Sequence, residues 1–412
     1  MQLTDSDQAL LSGESGEAAR IAMELLVSIG DAEGAPRLID IVGAHVDACL
    51  FHGVAGLDFA EALVDGGGQV RVPTTLNVSS LDLLHPSLYR GPEETAVLAR
   101  RLMDAYVAMG CAQSWTCAPY QLERRPALGD QIAWGESNAI VFANSVLGAR
   151  TGRYGDFLDI SCALTGRAPY VGLHTDSGRL AKLILEVTVP DHLLSDELFY
   201  PILGHVLGQL AGNEVAAIVG LDERATEDRL KALGAAAASS GSVAMFHAVG
   251  VTPEAQTLEA ACGGDFDLPR VSVGLDELSA ARRSLGHHSG RPLGAVSVGT
   301  PHFSRAELTE LASLVGGGPQ TTVPFYVSTG RDVLESLPPT VQARIEGFGA
   351  QLVTDTCTYI TPIIGDVEGI VLTNSGKWAF YAPGNLGVEV QIANLADCVQ
   401  SAIDGVVTGS GW

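Results

Sequence analysis

Residues 293–315 read LGAVSVGTPHFSRAELTELASLV, and the reading of this stretch decides the fold class. LGAVSVG is an unbroken apolar run, the composition of a strand buried on both faces. The run stops at TPHFS, where Pro301, His302 and the hydroxyls of Thr300 and Ser304 stand together. RAELTELASLV then carries apolar residues at helical spacing. Ser304 and Glu307 form Ser-x-x-Glu, a capping box that starts a helix. The same strand–loop–helix rhythm continues downstream. TVPFYVSTG (322–330) leads to RDVLESLPPTVQARIEGFG, and AQLVTDTCTYI (350–360) follows. GIVLTNSGKWAFYAPG (369–384) comes next, then a last helix in LADCVQSAIDGVV (395–407). Strands alternating with helices predict an α/β fold with mostly parallel sheets flanked by helices. Ligands of such sheets gather at the carboxyl ends of the strands.

Upstream segments fit the same class. Residues 6–28 predict one amphipathic helix, with Leu10, Leu11, Ala18, Ile21, Ala22, Leu25 and Leu26 near 3.6 spacing. APRLIDIVGAHVD (35–47) predicts a strand running into a turn, and GQVRVPTTLNVSS (68–80) a strand with a polar tip. PEETAVLARRLMDAYVAMG (92–110) predicts a helix with Pro92 near its start. GESNAIVFANSVLGARTG (135–152) predicts another helix, LAKLILEVTVP (180–190) a strand, and 199–260 an alternation of both. In LPRVSVGLDELSAARRSL (268–285), Asp276 precedes a helix. The polar stretch SLGHHSGR (284–291) reads as a mobile linker and suggests a subdivision at about 1–285 and 286–412.

Composition narrows the function classes. The chain has 412 residues, 46% of them hydrophobic and 17% charged, an ordinary globular profile. Its net charge of -24 argues against nucleic acid and anionic membrane surfaces as partners. The N-terminus has no basic region followed by an apolar one, so no signal peptide and a cytoplasmic protein are expected. The apolar stretch 202–221 carries His205, Gln209, Asn213 and Glu214 and reads as buried core, not a membrane span. Seven widely spaced cysteines without a Cys-x-x-Cys read as free thiols.

Six clusters carry chemistry. His302 and Ser304 end the opening strand, where a proton-transfer group and an anion-binding helix N-terminus are both plausible beside a plain turn. Cys357 lies in DTCTYI and Cys117 in SWTCAPYQL (114–122), each a thiol at a loop. Ser375 and Lys377 in TNSGKW suit a carboxylate at a helix start, while the missing Gly-x4-Gly-Lys spacing rejects a phosphate loop. Ser137 and Asn144, and Asn138 and Ser145, are seven apart on a predicted helix that ends near Arg150, either cross-bracing helices or facing substrate. Thr74, Thr75 and Asn77 form a polar strand end, for which a hydrogen-bonded turn competes. No dinucleotide fingerprint, nucleophile elbow or His-Glu-x-x-His occurs.

Together these motifs resemble the large, catalytic part of the aconitase X family. The resemblance runs from LTDSDQALLSGESGEAARIAMELL through VPTTLNVSSLD, SWTCAPYQL, WGESNAIVFANSVLGARTGR, ALTGRAPYVGLH, GTPHFSRAEL, DTCTYI and TNSGKWAFYAPG to LADCVQSAIDG. It implies a multi-domain, aconitase-like architecture and a hydro-lyase. Bacterial members act on cis-3-hydroxy-L-proline and archaeal members on mevalonate 5-phosphate, and this chain is most like the former. The resemblance implies an iron–sulfur cluster with Cys117 and Cys357 as ligands. The archaeal type places a third cysteine where this chain has Thr300, which leaves open a two-iron cluster, a mononuclear iron or a different third ligand such as Cys262. It also implies a small swivel domain outside this chain, expected as a separate subunit. Lys377, Ser375 and Arg150 then hold the substrate carboxylate and His302 or Ser304 moves a proton. A non-catalytic paralogue that binds a small acid without iron is the alternative from another class.

Overall fold

The computed structural model describes residues 1–409. They form two units: Met1–Leu81 with Gly91–Leu180, and Asp82–Arg90 with Ala181 onward. The chain thus leaves the first unit for nine residues and contributes them to the second.

The first unit holds five strands, β1 (Leu38–Asp40), β2 (Ala44–Val46), β3 (Thr74–Leu76), β4 (Ala133–Trp134) and β5 (Arg167–Pro169). β1 and β5 pair antiparallel, and β3-β2-β4 form a parallel sheet. The helix Glu93–Ala108 starts where expected: Pro92 sits at its N-cap, Glu93 and Glu94 occupy its first turn, and Leu102, Met103 and Tyr106 face inward. The single helix predicted over 6–28 is two, Asp5–Leu11 and Glu17–Ala32. Gly13 and Gly16 between them have φ of +87° and +99°, outside helical space, and period alone does not register that break. The helix predicted over 135–152 is also shorter. It runs Ser137–Phe142 and widens into a π turn over Ala143–Leu147.

The second unit carries two parallel sheets. β6 (Leu183–Val187), β7 (Ala216–Val219), β8 (Phe246–Ala248) and β9 (Arg270–Val273) stand in the order β8-β7-β6-β9. β10 (Leu293–Phe303), β11 (Phe325–Thr329), β12 (Ala350–Val353), β13 (Ile370–Thr373) and β14 (Val390–Ile392) stand in the order β12-β11-β10-β13-β14. Val296, Val298, Phe325, Val327, Ile370 and Leu372 bury this sheet against Leu308, Leu311, Ile345 and Val399. The apolar stretch 202–221 is core, as read: it covers most of the buried helix Phe199–Ala211 and then β7. No helix among the described residues is long and apolar enough to cross a membrane.

β10 does not stop at Gly299 but continues to Phe303 through an irregularity in its pairing. The stretch 284–291 lies inside the second unit and is tied to β14, since Ile392 N donates to the Leu285 oxygen and His288 N to Gln391 Oε1. The helix of 275–284 is capped at Gly274, and Asp276 lies in its first turn.

Candidate active site

In the first unit, the carboxyl ends of β2, β3 and β4 deliver Asp47, Asn77 and Glu136–Ser137. Asn77 Nδ2 donates to Asp47 Oδ1. The N–H groups of Asp47 and Ala48 donate to Asp159 Oδ2, at 2.6 and 3.3 Å. Burial pushes the Asp159 carboxyl up to about 8, against the pull of the Asp47 N–H. Thr74 and Thr75 spend their hydroxyls inside the fold. Thr74 donates to the Val72 oxygen at 2.9 Å, and Thr75 pairs with His45 Nδ1 at 2.8 Å.

Cys117 is buried in a loop laid against β3. Ser114 Oγ donates to the Leu76 oxygen at 2.8 Å, and Thr116 N donates to it at 3.1 Å. Trp115 between them takes φ of +41°, a strained value for a bulky residue. Asn138 Nδ2 donates to the Cys117 oxygen at 2.9 Å and shares a hydrogen bond with the Tyr120 hydroxyl, whose ring stacks on Phe142. Asn138 therefore meets the cysteine loop, beside Ser137 at the helix start. Asn144 does not join them. It brackets Thr151 and receives Arg179, while Arg150 pairs with Asp176 at 2.6 Å and bridges Gln131, ahead of β4. The π turn breaks the 3.6 repeat, so a spacing of seven no longer returns to one face. Ser145 is buried within that turn.

In the second unit, the order of strands places the topological switch beside β10, whose neighbours β11 and β13 lead to opposite halves of the sheet. Two of the predicted clusters, Gly299–Ser304 and Asn374–Lys377, lie at the carboxyl ends of β10 and β13. Gly299 N donates to Asn374 Oδ1 at 3.4 Å. Glycine is required at 299, because φ is +85° and a Cβ would stand 2.2 Å from the Ser328 oxygen. His302 and Lys377 are buried. Ser375 caps the helix Gly376–Leu386 by accepting from Trp378 N at 3.0 Å. Ser304 forms the expected capping box and also donates to Asp228 Oδ2 at 2.8 Å, so its hydroxyl is committed on both sides.

Cys357 lies in a third loop, Thr354–Thr361, after β12. Thr358 Oγ1 ties this loop to its neighbours by accepting from Trp378 Nε1 at 2.9 Å and pairing with Ser297 Oγ at 2.8 Å. The nine-residue excursion holds the loop's start. Asp82 receives Thr354 N at 2.8 Å and Thr354 Oγ1 at 2.9 Å, and Asp355, at φ of +60°, receives Leu83 N and a two-pronged pair from Arg331. Asp82, Asp355, Arg331 and Thr358 are given no role by the sequence, although Asp82 closes the polar tip VPTTLNVSSLD and Asp355 and Thr358 flank Cys357 in DTCTYI. Cys262 sits elsewhere, packed with Ala181, Ile184 and Ala217, where burial pushes its thiol up.

Sequence models of aconitase X match almost the entire chain: the first domain over residues 1–177, the second over 181–283 and the third over 293–404. The chain belongs to the aconitase X family. It is 46% identical over 404 residues to the cis-3-hydroxy-L-proline dehydratase of Pseudomonas aeruginosa, covering 97% of this chain and 69% of that protein. Identity to the enzyme of the same name from Hypocrea jecorina is 42%, over 98% of this chain and 69% of that one. The phosphomevalonate dehydratase large subunit of Methanosarcina mazei is 37% identical over 98% of both chains. Aconitase X of Thermococcus kodakaraensis in its holo-form superposes with a TM-score of 0.86 at 33% identity, over 98% of this chain and all of that one. Within the aconitase X frame, the three-stranded sheet belongs to the first domain, the four-stranded sheet to the second and the five-stranded sheet to the third.

Thr300, the position where the resemblance implies a third cysteine in archaeal members, carries a buried hydroxyl with no hydrogen-bond partner among the described residues.

Proposed function

We propose that this chain is the catalytic part of a hydro-lyase that dehydrates cis-3-hydroxy-L-proline to Δ1-pyrroline-2-carboxylate. The observation that carries this reading is the order of likeness: identity is higher to the hydroxyproline dehydratases than to the phosphomevalonate dehydratase large subunits. The chemistry needs a base for the C2 proton, a means for the C3 hydroxyl to leave as water, and a fixed carboxylate. The enamine that forms then tautomerises to the imine. Lys377 and Ser375, at the start of a helix beside the switch point, suit the carboxylate. His302, near the carboxyl end of β10, suits the proton transfer. The Ser304 hydroxyl is bonded to Asp228 and Arg150 is paired with Asp176. An iron centre carrying fewer than three thiolates is the cofactor of this reading, with Cys117 and Cys357 as candidate ligands, each buried in a loop of its own unit. Cys262 packs as a small apolar side chain. We infer further that a small swivel subunit completes the enzyme, because archaeal relatives matched over their full length are named large subunits.

The test is an anaerobic assay with the small subunit co-expressed, across hydroxyproline isomers and phosphomevalonate. Imine formation from cis-3-hydroxy-L-proline is expected, read by mass spectrometry. Turnover of phosphomevalonate alone would assign the other substrate. Binding of hydroxyproline without turnover, by a colourless protein, would support a non-catalytic paralogue.

A further inference from the structure

β10 is unevenly held. Its pairing with β13 ends at Val296, and its pairing with β11 lapses between Val298 and Phe303. The segment Gly299–His302 therefore has no continuous ladder to set its register. A second hold comes from outside the sheet. Lys231, on the helix Glu227–Ser240, has a side chain only 2% exposed. Its ammonium carries three hydrogens. Three acceptors meet it: Asp228 Oδ1 at 3.0 Å, Glu307 Oε2, and the main-chain oxygen of His302 at 3.4 Å. The two carboxylates close on the same turn. Ser304 gives its hydroxyl to Asp228 Oδ2 and its N–H, at 2.7 Å, to Glu307 Oε2. Both acids lie in the first turns of their helices, where the dipole favours the charged forms.

A buried ammonium is a poor route to stability, since a well-packed apolar residue often serves as well or better. Buried ionic groups are best attested as devices that fix register. The register that the ladder does not set here is that of Gly299–His302. We propose that Lys231 is a positioning residue: with Asp228 and Glu307 it clamps the main chain at His302 and the cap at Ser304, and so aims the His302 ring. The inference rests on the reading of His302 as the proton-transfer group.

The test uses the full chain, loaded with iron and co-expressed with its small subunit. Lys231→Met alone leaves two half-buried carboxylates facing each other and is expected to fold poorly. The decisive variant is Lys231→Met/Glu307→Gln, which removes one of those charges and leaves Asp228 bonded to Ser304. Its thermal midpoint is expected near that of the parent, with KM for hydroxyproline within about twofold. Its kcat is expected to fall by about 10²-fold, the effect of misplacing a reacting group by an ångström. A kcat restored along with the thermal midpoint overturns the proposal. Histidine-labelled nitrogen spectra give a readout that needs no turnover. The His302 ring signals should move in the double variant while those of His45 and His174 stay, and unmoved His302 signals also overturn the clamp. Should the parent enzyme fail to dehydrate hydroxyproline, the functional reading falls, while these spectra still decide the clamp.

Discussion

Asp159 shows how one buried carboxyl is put to structural use. It anchors the turn after β2 through the N–H groups of Asp47 and Ala48, and Ile160 N donates to its second oxygen. Its proton is released near 3.8 in the unfolded chain and near 8 in the folded one. Between those values the folded state binds more protons, so stability falls as pH rises from about 4 to about 8, by up to about 1.4 kcal/mol per pH unit. Asp159→Asn is expected to flatten that slope in denaturant titrations run at several pH values. Were the slope to persist unchanged, Asp159 would not be its source. Single positions were partly legible. Ser304 with Glu307 was readable as a capping box because both residues lie within one turn. The partner of Ser304, Asp228, lies 76 residues away and leaves no local trace.

Loops owe their shape to elements distant in sequence. The Thr354–Thr361 loop, which carries Cys357, is held at its start by Asp82 and at its far end by Arg90, whose N–H and Nε reach the oxygens of Pro362 and Ile363 at 2.8 and 2.9 Å. Asp82→Ala would strand Thr354 N, Leu84 N and His85 N, and should destabilise the protein by about 2–3 kcal/mol. Hydrogen exchange in 354–361 should quicken more than exchange in β10, and uniform quickening would refute the local role. Elements with strong punctuation read well: Pro92 opened its helix, and the run of 369–373 ended at the Ser375 cap. The π turn of Ala143–Leu147 did not, because an i→i+5 turn has no compositional signature.

At the scale of the molecule, the second unit is discontinuous, and residues 82–90 belong to it. A fragment of residues 181–409 is therefore expected to be less stable than the same fragment carrying a fused copy of 82–90. Thermal unfolding of the two measures this, and equal midpoints would show that the excursion contributes nothing. The alternation of apolar runs with helical spacing was enough to predict parallel α/β sheets, because a strand buried on both faces and an amphipathic helix each leave a local pattern. The motif order was enough to place the chain in its family. Which clusters share a strand end was decided only by the fold. Strand order puts His302 and Lys377 at one switch point, while Asn144 and Arg150 go to other partners. Those pairings depend on hydrogen bonds and packing between residues far apart in the chain, and such contacts leave no period or spacing to read.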